Sequence, residues 1–135
     1  MKGPIIRAWA TRNILNEGRK CTMPHLVVDY SDGSFDPERI SELLLELADA
    51  AWRTGVMKAE DVKIRAQPYE HYLVAGKQDS FVHVTVYLLE GRNSAQKVEL
   101  SVRLREVLTS RCAAVTSLSV DIRDMDSLAY KKRLR

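Results

Sequence analysis

Thr22-Met23-Pro24-His25-Leu26-Val27-Val28-Asp29-Tyr30 sets a methionine–proline pair directly before an alternating apolar run. The run reads as a strand, because successive side chains on a strand point to opposite faces. The Met23-Pro24 pair has two open readings. Proline often begins a strand, so the pair can be an ordinary loop-to-strand junction. Alternatively, Met23 is a translation start that is later removed. Pro24 then carries a free secondary amine at the mouth of the strand.

Working outward towards the carboxy terminus, Ser31-Asp32-Gly33-Ser34 is a turn cluster. Asp36-Pro37-Glu38 opens a helix: Asp36 caps the free amides, Pro37 suits the first turn and Glu38 complements the dipole. Ile40, Leu43, Leu44, Leu47, Ala48 and Ala51 share one helical face, and Gly55 ends the helix. A second strand region is expected over Asp61–Val74, with a bend or edge position at Pro68. Ala75-Gly76-Lys77-Gln78-Asp79 is a turn. Phe81–Leu89 alternates most clearly of all, with Val82, Val84, Val86 and Leu88 on one side and Phe81, His83, Thr85 and Tyr87 on the other. Asn93 or Ser94 then caps a second helix running to about Arg111, burying Leu100, Leu104, Val107 and Leu108. A fourth strand is expected at about Ala114–Ile122.

The order is β-α-β twice. It predicts an α/β (α+β) two-layer sandwich: a duplicated β-α-β unit giving a four-stranded sheet with two helices on one face. Right-handed crossovers make the strands parallel within each half. The other sheet face, with His83, Thr85 and Tyr87, suits a subunit interface in a closed oligomer better than open water.

The expected organisation is a leader over 1–22, a domain over 23–127 and a basic tail over 128–135. The 135 residues fit one domain. Of the net charge of +3, the leader holds more than all: Lys2, Arg7, Arg12, Arg19 and Lys20 against Glu17 alone. Residues 23–135 are slightly acidic, which argues against general nucleic-acid affinity. The leader lacks a secretory apolar core and faintly resembles an organellar transit peptide. It can also be untranslated: Glu17-Gly18 requires a purine-rich codon pair of ribosome-binding character upstream of Met23. No apolar run is long enough for a membrane helix. Cys21 and Cys112 make neither a disulfide framework nor a metal site, and cytoplasm is the default compartment. His25, His71 and His83 have no metal-ligand spacing and read as structural.

Met23-Pro24-His25-Leu26-Val27-Val28 resembles the mature start of the 5-carboxymethyl-2-hydroxymuconate isomerases of the tautomerase superfamily. Phe81-Val82-His83-Val84-Thr85 followed by Gly91-Arg92 resembles that family's second strand-to-helix junction. The resemblance spans roughly residues 23–125. It implies a tautomerase-like homotrimer with no cofactor and no metal, and an amino-terminal proline as general base helped by arginines. Pro24 matches the base and Arg92 the arginine after the glycine. The family's Ile-Arg-Ser-Arg-like segment reads Val62-Lys63-Ile64-Arg65 here, so Lys63 replaces one arginine and Arg65 matches the other. Lysine keeps the charge but loses the planar fork that grips a carboxylate twice.

The implied reaction moves a double bond beside a carbonyl in a small-molecule carboxylate of aromatic catabolism. Pro24 takes and returns the proton. Lys63, Arg65 and Arg92 hold carboxylates and the dienolate. Phe81, Ile64 and Val82 are candidate apolar neighbours of the amine, with Phe81 expected to bind substrate. An amide nitrogen has no basic lone pair, so this mechanism requires the chain to begin at Pro24. Two rivals within reach are a tautomerase of a smaller keto-enol acid and a non-catalytic trimeric binding domain with Pro24 blocked. An RNA-binding module is weaker, because the third strand lacks the exposed stacking aromatics. No nucleic-acid or membrane partner is expected.

Overall fold

The computed structural model describes residues 22–135. The leader, apart from Thr22, lies outside the described residues. Strand β1 (His25–Ser31) is followed by helix α1 (Pro37–Arg53), a short 3-10 turn (Ala59–Asp61), β2 (Lys63–Tyr69), β3 (Phe81–Leu89), α2 (Ser94–Arg111) and β4 (Ser117–Met125). The sheet order is β2-β1-β3-β4. β1 runs parallel to β2 and β3 parallel to β4, while β1 and β3 are antiparallel. The protein is thus a duplicated β-α-β sandwich, with its two halves joined along the β1–β3 seam.

Local chemistry explains the boundaries. The Asp36 carboxylate accepts from Arg39 N at 2.8 Å, and Pro37 occupies the first turn of α1. At α2 the capping is reciprocal. Asn93 Oδ1 accepts from Gln96 N at 2.8 Å, and Gln96 Oε1 accepts from Asn93 N at 2.9 Å. Pro68 lies on the edge strand β2, where a missing N–H costs the ladder nothing. β2 is shorter than the sequence predicts: it stops at Tyr69, and Leu73 beyond it is exposed. β4 begins three residues later than expected and runs three further, to Met125. Cys112 caps α2 and its carbonyl accepts from Val115 N at 2.9 Å, so residues 112–116 form a turn.

Alternation divides the sheet into a covered and an open face. Leu26, Val28, Tyr30, Val82, Val84, Val86 and Leu88 are buried beneath the helices with Leu43, Leu47, Trp52, Leu100, Leu104 and Leu108. In α2, only those three leucines are fully buried, spaced four residues apart. Leu104 is the central one. Leu104→Ala is expected to cost about 2–5 kcal/mol in chemical denaturation. Val98→Ala, on the same helix but 58 % exposed, is expected to stay within about 0.5 kcal/mol.

Among the described residues, no helix lies on the open face. Its rungs, read across the sheet, are Lys63–His25–Tyr87–Arg123, Arg65–Val27–Thr85–Asp121 and Gln67–Asp29–His83–Ser119. Several of these groups bond one another: His83 Nδ1 meets Ser119 Oγ at 2.6 Å, and the Tyr69 hydroxyl donates to Asp29 at 3.2 Å. Among the described residues no helix is long and apolar enough to cross a membrane.

Candidate active site

One end of the sheet gathers the amino terminus of β1, the start of β2 and the end of β3. Pro24 is buried there, in the same alternation set as Leu26. Its carbonyl accepts the Lys63 backbone N–H at 3.1 Å, so Lys63 is the first rung beside it. Arg65 follows on the open face one rung pair further in, as strand alternation requires. The β3–α2 turn closes the same end. Gly91 there has φ +123, a conformation open to glycine at little cost. The Arg92 that follows is half-buried and donates from Nε to the Val56 carbonyl at 3.2 Å. The structure therefore brings Pro24, Lys63 and Arg92 to one end, with Arg65 just inside it.

Phe81 is not brought to that end within one protomer. It sits beside Ser31, whose Oγ accepts from Phe81 N at 3.0 Å. That is seven residues along β1 from Pro24, roughly 23 Å at strand rise. Val82 shares this far end, opposite Tyr30, whereas Ile64 pairs with Leu26 near Pro24. Phe81 packs instead with Tyr69 and Tyr72, at ring separations of 6.2 and 5.5 Å.

The residues preceding Pro24 are visible at the site. Thr22 O accepts from Leu89 N at 2.9 Å, and Thr22 is wholly buried. Its hydroxyl finds no partner among the described residues. Met23 has φ +47, a left-handed conformation costing about 1–3 kcal/mol for a side chain of this kind. The residue before a proline prefers an extended backbone, which Met23 does not adopt. In this chain the Pro24 nitrogen is a tertiary amide, preceded by a buried threonine and by a methionine in the left-handed conformation.

Three groups beyond the expected set also reach this end. His25, on the open face, meets Arg65 Nη1 through Nδ1 at 3.2 Å and the Tyr130 hydroxyl through Nε2 at 2.9 Å. Burial pushes the His25 pKa down, and the charges of Arg65, Lys63 and Lys132 push it further. Tyr130 and Lys132 belong to the segment expected to be a basic tail. The one sequence signal for its return is Tyr130 itself, the only aromatic in residues 126–135.

A groove of about 450 Å³ lies elsewhere, between α1 and α2. Its charges are already engaged on its rim, Arg53 with Asp49 and Arg103 with Glu99, each at 2.8 Å. It has no residue in common with the Pro24 end. No set of three or more potential metal-ligating side chains occurs among the described residues.

The sequence model of the 5-carboxymethyl-2-hydroxymuconate isomerase family matches residues 24–133. The chain belongs to that family. The match begins on Pro24 and runs through Tyr130 and Lys132. A crystal structure of a 5-carboxymethyl-2-hydroxymuconate isomerase from Deinococcus radiodurans R1 is similar, with TM-score 0.74 and 28% identity, over 84% of this chain and 91% of that one. A 5-carboxymethyl-2-hydroxymuconate delta-isomerase structure shares the fold at TM-score 0.66 and 20% identity, covering 84% and 89% of the two chains. So does a fused 4-OT wild type asymmetric trimer, at TM-score 0.71 and 26% identity over 80% and 91%. No curated protein sequence matches the chain. Membership of this family supports an isomerase of the tautomerase type, and the sheet and helices have the tautomerase fold.

Proposed function

We propose that the protein is a cofactor-independent isomerase that shifts a double bond in a 2-hydroxymuconate-type dicarboxylate. Pro24 is the general base, acting in molecules whose first residue is Pro24. The observation that carries this reading is the meeting of Pro24, Lys63 and Arg92 at one sheet end, in a family match that starts on Pro24.

The chemistry rests on the groups themselves. A free α-amine has a pKa of about 7.7–8.0 before perturbation, and a secondary amine starts higher. Burial of Pro24 and the positive charges of Lys63, Arg65 and Arg92 disfavour its protonated form. The neutral amine removes the hydroxyl proton of the dienol or, in the keto form, a proton from the carbon next to the carbonyl. Negative charge then spreads over the dienolate, where Arg92 stabilises it. The ammonium formed on Pro24 returns the proton further along the conjugated chain. Lys63 and Arg65 hold the carboxylate groups.

The unlidded sheet face and the trimeric fused 4-OT relative support a homotrimer. A role for Phe81 in substrate binding rests on such an assembly. At roughly 23 Å from Pro24 in its own protomer, Phe81 reaches a proline only in a neighbouring subunit.

Lys63 bears on substrate size. In a chain of residues 24–135, Lys63→Ala is expected to raise KM for a dicarboxylate about tenfold, the loss of one charge-assisted contact of about 1.5 kcal/mol. KM for a phenylpyruvate-like monocarboxylate is expected to change less than threefold. Parallel steady-state assays check this. Faster turnover of the monocarboxylate by the unsubstituted chain would redirect the assignment to smaller keto-enol acids.

A second reading draws on the burial of Thr22 and its bond to Leu89. With residues 22 and 23 in place, the protein is a non-catalytic binding domain. Mass determination of the mature amino terminus separates the two.

A further inference from the structure

Arg65 is exposed, and a long exposed arginine samples many rotamers. Here one rotamer is held. Arg65 Nη1 lies 3.2 Å from His25 Nδ1, and His25 Nε2 lies 2.9 Å from the Tyr130 hydroxyl. A guanidinium can only donate, so Nδ1 must be the acceptor. The neutral ring then carries its proton on Nε2 and donates it to the Tyr130 oxygen. The two rings also meet edge to face, at 5.9 Å between centroids.

Tyr130 is itself fixed. Its N–H and that of Ala129 donate to the Asp126 carbonyl at 2.9 and 3.1 Å. The preceding Ser127 donates to Glu90 twice, from its N–H to Oε1 at 2.9 Å and from its hydroxyl to Oε2 at 2.6 Å. Glu90 stands two residues before Arg92. The carboxy-terminal segment is therefore strapped to the turn that carries Arg92, and it ends against the ring that holds Arg65.

We propose that His25 and Tyr130 are positioning residues. They aim the Arg65 guanidinium at a substrate carboxylate and make residues 126–130 a working part of the site. The role assigned to Arg65 rests on the function proposed above. The groups facing His25 are Lys63 and Arg65 from β2, Tyr87 from β3, and Tyr130 and Lys132 from the carboxy-terminal segment. None is a carboxylate, so nothing near the ring favours its charged form. Protonation would turn Nδ1 into a donor and break the contact with Arg65. The lowered pKa of His25 keeps the pair intact into mildly acidic solution.

The first test needs no turnover. Nitrogen-15 NMR of the full chain should show His25 protonated on Nε2 alone at neutral pH, with its pKa rising in Arg65→Gln. A ring protonated on Nδ1, or a pKa indifferent to Arg65→Gln, would overturn the pair. Muconate, which lacks the hydroxyl needed for reaction, serves as the dicarboxylate probe and is followed through the His25 resonances. Tyr130→Phe keeps the ring and removes the hydroxyl. It should weaken muconate binding about 3–10-fold, the cost of ordering one long side chain on binding. Equal affinity, or no binding of muconate by the unsubstituted full chain, would overturn the positioning role.

In an active chain starting at Pro24, the same substitution should raise KM by that factor and leave kcat within twofold. A fall confined to kcat would overturn the role too. If Tyr130→Phe weakens muconate binding while no keto-enol acid is turned over, the proposed function falls and the positioning pair stands.

Discussion

A protein whose first residue is Pro24 turns over a 2-hydroxymuconate-type substrate at least about 100-fold faster than the full chain, in which residues 1–23 precede the proline. That is the expected result, and its size is the low end of what a positioned general base contributes. The nitrogen lone pair of an internal proline is delocalised into the preceding carbonyl, so the blocked form has no base to offer. In the full chain Met23 precedes the proline, and Thr22 before it is bonded to Leu89. Stopped assays on the two proteins, each verified by intact mass, measure the ratio. Equal rates would remove Pro24 from the chemistry while leaving the fold and family untouched. The folded stabilities of the two forms should be close. The blocked form retains the Thr22–Leu89 bond but also the left-handed Met23 and the buried Thr22 hydroxyl.

Arg92→Gln should lower kcat/KM by about 10²–10³-fold, the range for losing one donor to a developing oxyanion. Its Nε is tied to the Val56 carbonyl at 3.2 Å, so the guanidinium is oriented before substrate arrives. That bond also ties the α1–β2 connection to the β3–α2 turn. A structural defect must therefore be separated from a chemical one. Arg92→Lys retains the charge without the fork and should recover only part of the activity. The thermal midpoint, followed by circular dichroism, should move by only a few degrees in either variant. A large fall in the midpoint alongside the loss of activity would assign Arg92 to the scaffold.

The fold could be read where local chemistry and periodicity agree. Asp36-Pro37 and Asn93 mark helix starts by side-chain capping that needs no tertiary partner. Phe81–Leu89 alternates because one face is wholly buried. β4 was harder to place, because Asp121, Arg123 and Asp124 look unlike strand residues. Asp121 and Arg123 are tolerated on the open face of an edge strand, while Asp124, opposite Leu88, pairs with Lys97 of α2 at 2.9 Å. The segment 70–74 looks like strand and leaves the sheet, since apolar content there serves an exposed loop and an aromatic cluster. At the site, Pro24, Lys63, Arg65 and Arg92 were named from a resemblance, and the register shows why three of them meet. The His25–Tyr130 contact spans 105 residues and obeys no local rule, so only the fold reveals it.

β1 is made first among the strands, yet it lies in the interior of the sheet order, between β2 and β3. It cannot be enclosed until Leu89 has been synthesised, 58 residues after Ser31. At about 5–20 residues per second, that leaves an interval of about 3–12 s during synthesis. Through that interval β1 can pair with β2, but its other edge, including the Thr22 carbonyl that later accepts from Leu89 N, stays uncovered. Afterwards the Leu89 amide holds Thr22 in place. The order in which the ribosome delivers the strands thus leaves one edge of the strand that begins at His25 waiting for the second half of the chain.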